Sequence, residues 1–85
     1  MDERPIPTPD APLDAGHEGC GTLLVVIRQR VKALAPGQVL EVVGYDPGAK
    51  EDLPAWCRMT GNPLLAVRGD LARGEPMHYF IRRGQ

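Results

Sequence analysis

The stretch from Thr22 to Val43, TLLVVIRQRVKALAPGQVLEVV, decides the architecture, because its hydrophobic period changes midway. Leu23, Leu24, Ile27, Val31 and Leu34 recur at helical spacing, and Arg28, Gln29, Arg30 and Lys32 fill the other side. That is the pattern of an amphipathic helix resting on a core. Val25, Val26 and Ile27 are β-branched and argue for a strand, but the length of the run and its polar intervals favour a helix over residues 22–35. Pro36-Gly37 stops it, with Lys32 in the last turns where a cation suits the helix dipole. Beyond the stop, Val39 to Val43 reads as a compact strand with Leu40 and Val42 on one face.

Working outward toward the C-terminus, Tyr45-Asp46-Pro47-Gly48 is a turn. Asp52 is expected to cap a second helix, with Pro54 in the first turn, where its missing N–H costs nothing. Leu53, Trp56, Cys57 and Thr60 then line one helical face, and Gly61 ends it. Residues 63–69 and 77–82 are strand candidates flanking Asp70-Leu71-Ala72-Arg73-Gly74, so they read as a hairpin. Toward the N-terminus, Ala11 to Ala15 is a short extended segment around Leu13, broken by Gly16-His17-Glu18-Gly19. The order is β-α-β-α-β-β. The first two strands should be parallel, adjacent or with a neighbour between them, and the last two antiparallel.

The chain has 85 residues, enough for one domain, residues 11–85, after a Pro-rich N-terminal tail over residues 1–10 that is expected to be flexible. So short a chain has a thin core, which suits one sheet covered on one face by helices. Ten Lys and Arg against 11 Asp and Glu leave a formal charge of −1, which argues against nucleic acid as the main ligand. Two cysteines are too few for a disulfide scaffold. No apolar run has the ~18–20 residues of a membrane span, and Met1-Asp2-Glu3-Arg4 does not open like a secretory signal. The expected compartment is the cytoplasm, with reduced thiols.

Cys20 is the most informative residue for chemistry. It follows a glycine-containing loop and immediately precedes the long helix. A thiol there meets unpaired backbone N–H groups and the positive end of the helix dipole, both of which favour the thiolate. The alternative is an ordinary buried small residue, and position alone does not separate the two. Cys57, beside Trp56 on an apolar helix face, reads as core packing. His17 and Cys20 have the spacing of two metal ligands, but Cys57 and His78 stand far away in other elements, which matches no compact zinc pattern. His17 could tune Cys20 or simply be solvated in its loop, and His78 reads as one face of a strand. Asp46, Glu51 and Asp52 have turn or cap roles, and Arg68-Gly69-Asp70 reads as a strand end and turn. Arg58, Arg68, Arg73, Arg82 and Arg83 make the C-terminal half basic, either a solvated face or ground for an acidic partner.

Several segments together resemble one family, the TusA/SirA-like sulfur carriers. Leu13-Asp14 followed by Cys20 resembles the family's opening Leu-Asp segment and active cysteine, with the spacing kept. Asp46-Pro47-Gly48-Ala49-Lys50-Glu51-Asp52-Leu53-Pro54-Ala55-Trp56-Cys57 resembles its Asp-Pro-x-Ala, Asp-Leu-Pro and Trp-Cys segment, and Tyr79 to Gly84 is similar to its last strand. The resemblance covers residues 11–84. Three positions depart from the family pattern: Gly21-Thr22-Leu23 stands in place of Pro-x-Pro, His17 in place of a glycine, and Asn62 in place of a histidine. The first change removes a proline that would preset φ at the helix start, and Gly21 loosens that backbone.

The resemblance implies an α+β fold, a two-layer α/β sandwich with two helices packed on one face of a four-stranded mixed sheet. It also implies that Cys20 accepts sulfane sulfur as a persulfide and hands it on, with no cofactor and no metal. The partners would be a sulfur-donor protein of cysteine desulfurase or rhodanese type and a sulfur-acceptor protein, meeting a surface of Asp14, His17, Glu18, Gly19, Gly21 and Thr22 around Cys20. A monomer is expected, with no membrane and no direct nucleic-acid contact. Two alternatives stand beside this: a non-catalytic binding or regulatory module that has lost transfer, and a redox switch that pairs Cys20 with Cys57.

Overall fold

The computed structural model describes residues 6–17 and 19–84. Its elements run β1 (Ala11–Gly16), α1 (Cys20–Lys32), β2 (Val39–Gly44), α2 (Ala49–Thr60), β3 (Leu64–Arg68), a short 3-10 turn at Leu71–Arg73, and β4 (Met77–Arg82). The four strands form one sheet in the order β1-β2-β4-β3. β1 and β2 are adjacent and parallel, while β4 is antiparallel to both β2 and β3. The expected mixed sheet under two helices is what the chain adopts, with β4 inserted between β2 and β3. Five of the residues assigned to the leading tail, 1–5, lie outside the described residues. Asp10 is tied to β2: its N–H donates to Val39 O at 2.8 Å, and its carboxylate accepts from Val39 N at 2.8 Å.

Strand alternation puts one side of the sheet under the helices. Leu40 and Val42 from β2, and Met77, Tyr79 and Ile81 from β4, join Leu23, Ile27 and Val31 of α1 and Leu53 and Cys57 of α2 in one buried cluster. The opposite alternation phase builds a smaller cluster of Val39, Ala66 and Phe80 on the open face.

Both helices have bounds that differ from the sequence expectation. α1 begins two residues before Thr22 and ends at Lys32 rather than residue 35. It stops early because side chains take over its last polar groups. The Arg83 guanidinium donates to Lys32 O at 3.0 Å and to Leu34 O, and Gln38 Oε1 accepts from Ala35 N at 2.7 Å. Asp52 is not the cap of α2, and Pro54 is not in its first turn. The Asp46-Pro47-Gly48 turn flows directly into the helix, so Gly48 is the N-cap, Asp52 lies in the first turn, and Pro54 is the sixth residue. Asp52 N donates to Gly48 O at 3.0 Å, and its carboxylate still complements the dipole. The buried line on α2 is Ala49, Leu53 and Cys57. Trp56 is half-buried, and Thr60 is exposed with its hydroxyl on Trp56 O at 2.8 Å.

The β3–β4 connection turns at Gly69, whose φ is +110°. A Cβ there would meet Pro76 O at 2.1 Å, so glycine is required by both sterics and conformation. Asp70 then caps the 3-10 turn by accepting from Ala72 N at 3.0 Å, so Arg68-Gly69-Asp70 is a strand end and turn, as read.

Candidate functional site

Parallel pairing of β1 with β2 brings their carboxyl ends together, with Gly16 opposite Gly44. The loops into α1 and α2 therefore leave the same end of the sheet. Asp14 starts the first loop: its Oδ1 accepts from Gly16 N at 3.0 Å, an Asx turn that sets the chain's exit. Gly16 has φ +54°, and its carbonyl accepts from Tyr45 N at 2.8 Å. The His17 ring stacks on the Tyr45 ring with centroids 4.8 Å apart and planes 16° apart. Glu18 lies outside the described residues. Gly19 is the N-cap of α1 with extended φ −76° and ψ 161°, and its carbonyl accepts from Leu23 N at 2.8 Å.

Cys20 is the first residue of α1. The first turn carries no acidic residue, and the basic Arg30 and Lys32 lie in the last. The first residue of a helix sits at the end where its unpaired N–H groups and the positive pole of its dipole lie. Gly21 and Thr22 are exposed in the same turn. Of the residues singled out in the sequence, Asp14, His17, Gly19, Cys20, Gly21 and Thr22 thus share one end of the sheet.

The sequence marks Tyr45 only as part of a turn. The signal that could have found it is the parallel register, which aims the residue after β2 at the loop after β1. Among the described residues no group of three or more His, Cys, Asp and Glu could hold a metal ion.

Cys57 behaves differently. It is 4% exposed, and burial pushes its thiol from 9.0 up to about 11, with Arg58 pulling weakly back. It also lies eight residues past the start of α2, about 12 Å along the axis at ~1.5 Å per residue. His78 is more than one face of a strand: on the open face its Nδ1 meets Glu41 Oε2 at 2.8 Å, across the β2–β4 pair.

Two of the C-terminal arginines hold backbone carbonyls. Arg83 is engaged at the end of α1, and Arg68 donates to Val67 O at 2.8 Å. Asn62 fastens the chain's end, with its Oδ1 accepting from Gly84 N at 2.9 Å.

Residues 12–83 match the family model described as Sulfurtransferase TusA. The chain is 38% identical over 76 residues to the sulfur carrier protein TusA of Pseudomonas putida (strain GB-1), covering 89% of this chain and 91% of that protein. It is 39% identical over 72 residues to YrkF of Bacillus subtilis (strain 168), covering 85% of this chain but 37% of the relative. The chain therefore spans nearly the whole of the one relative and little more than a third of the other.

Proposed function

The chain belongs to the sulfurtransferase TusA family of sulfur carriers, and from that premise we propose that it holds sulfane sulfur as a persulfide on Cys20. The observation that carries the proposal is a cysteine at the first position of α1 inside a family match that spans residues 12–83. Amide dipoles there favour the thiolate over the thiol. The Cys20 thiolate attacks the outer sulfur of a donor persulfide, R–S–SH. A bond forms between Cys20 Sγ and that sulfur, the S–S bond of the donor breaks, and the donor leaves as R–S⁻. The products are Cys20–S–SH and a donor thiolate, so atoms and charge balance and no external oxidant is needed. Delivery repeats the displacement, with an acceptor nucleophile attacking the outer sulfur and Cys20 leaving as thiolate.

The chemistry needs neither metal nor organic cofactor. A carrier of this kind works between two proteins, a donor of cysteine desulfurase or rhodanese type and an acceptor, both meeting the loop end formed by Asp14, His17, Gly19, Gly21 and Thr22. No described helix is long and apolar enough to cross a membrane, and the proposed setting is the cytoplasm, with the chain acting as a monomer and without nucleic-acid contact.

Cyanolysis tests the reading. Protein loaded with a small-molecule persulfide and freed of donor should release one thiocyanate per chain on treatment with cyanide, since R–S–SH and CN⁻ give R–SH and SCN⁻. The Cys20→Ser variant should release none, and Cys57→Ala should match wild type. Release that survives Cys20→Ser would contradict the assignment. Absence of release from wild type, together with donor-protein binding that survives Cys20→Ser, would identify a binding module instead.

A further inference from the structure

The approach to α1 and its first turn are rich in glycine. Gly16, Gly19 and Gly21 surround the approach to Cys20, and a Cβ added at any of the three would meet nothing within 4 Å. The first turn runs Cys20-Gly21-Thr22 with no proline to fix φ. The backbone there is therefore free in the way glycine-rich segments are, yet a nucleophile needs a fixed frame to be useful.

Three backbone restraints surround the segment. Asp14 Oδ1 holds Gly16 N, Gly16 O holds Tyr45 N, and Gly19 O holds Leu23 N. The first two end at residue 16, and the third lies inside the helix. Among the described residues, the contact that reaches across residue 17 to another element is the stack of His17 on Tyr45. Tyr45 is anchored by its own N–H to Gly16 O at 2.8 Å, so its ring is presented from a fixed base. Tyr45 is also 38% exposed and belongs to neither hydrophobic cluster. Its ring is not needed to fill the core, which leaves the loop as the thing it holds.

We propose that the His17–Tyr45 stack is a positioning clamp that holds the β1–α1 loop against the β2–α2 loop and fixes the first turn of α1 for chemistry at Cys20. Both residues act on Cys20 through the loop, as positioning residues. The stack does the work that a rigid residue in the first turn would do, from outside the helix. What the clamp positions rests on the sulfur-carrier reading, whereas the clamp itself can be measured without any sulfur transfer.

The test compares wild type, Tyr45→Ala, Tyr45→Phe and His17→Gly. The first readout is hydrogen exchange at the Leu23 amide, which reports closure of the first turn. The second is the rate of Cys20 alkylation by iodoacetamide, mapped by peptide mass. The third is the rate of persulfide loading from a small-molecule donor. Aromatic pairs of this kind correspond to about 2- to 12-fold in a local equilibrium, so Tyr45→Ala and His17→Gly should speed Leu23 exchange by that factor. Both should also shift the alkylation rate and slow loading. Tyr45→Phe keeps the ring and should restore all three, which a loss of general stability would not explain. Exchange and alkylation in Tyr45→Ala equal to wild type would overturn the clamp, whatever the loading rate. Altered exchange and alkylation with no loading in any protein, wild type included, would uphold the clamp and sink the carrier reading instead.

Discussion

Removing the Cys57 thiol from water disfavours its thiolate, which is why its pKa stands at about 11 against 9.0 for a solvated thiol. Between these values the unfolded chain has released the proton and the folded chain keeps it, so stability falls as pH rises. It is intact below pH 9.0 and is lost progressively up to about 11. Denaturant unfolding between pH 8 and 11 should show an alkaline loss in wild type of order 2 kcal/mol that Cys57→Ala lacks. Equal slopes in the two proteins would refute the burial argument. Cys57→Ser should cost about 1–3 kcal/mol through a buried hydroxyl without a partner. Burial of Cys57 was legible in the sequence, because Leu53 and Cys57 share the apolar line of a helix. The His17–Tyr45 and Glu41–His78 contacts were not, because each joins side chains that only strand register brings together.

Helix ends were the least legible elements, and the reason is tertiary. Pro36-Gly37 suggested a stop after residue 35, but α1 ends at Lys32 because Arg83, from beyond the last strand, takes the Lys32 and Leu34 carbonyls. Arg83→Ala should therefore lower stability by about 1–2 kcal/mol, in line with hydrogen bonds to a charged donor, and should loosen the amides at the end of α1 in hydrogen exchange. No change in either would remove the cap. At the start of α2 the sequence suggests Asp52 as the cap, with Gly48 closing the turn before it, but Gly48 is the N-cap. The turn geometry chose the earlier one, since Gly48 already has helical φ −68° and ψ −25°. Pro54 falls inside the helix as a result, with the Lys50 carbonyl it frees on an exposed residue, where water can take the bond. Gly69→Ala should cost at least about 2 kcal/mol, because a left-handed backbone and a close carbonyl are both violated.

At the scale of the whole molecule, the order β1-β2-β4-β3 makes the last strand central. β4 pairs on both sides and carries Tyr79, Phe80 and Ile81, all buried. A chain ending before Met77 should fail to fold, which loss of amide dispersion in an NMR spectrum would show. The layered β-α-β-α-β-β plan could be read from periodicity, whereas the insertion of β4 between β2 and β3 depends on long-range pairing that no local pattern records. That plan sends both helix starts to one end of the sheet, with Cys20 at the first residue of α1 and Cys57 buried deep along α2. Only the first of these thiols is proposed to carry sulfur. Intact-protein mass spectrometry after exposure to a persulfide donor tests this most directly, on wild type, Cys20→Ser and Cys57→Ser. Wild type and Cys57→Ser should each gain one sulfur atom, and Cys20→Ser none. A gain that persists in Cys20→Ser, or none in a reduced and folded wild type, would contradict that assignment.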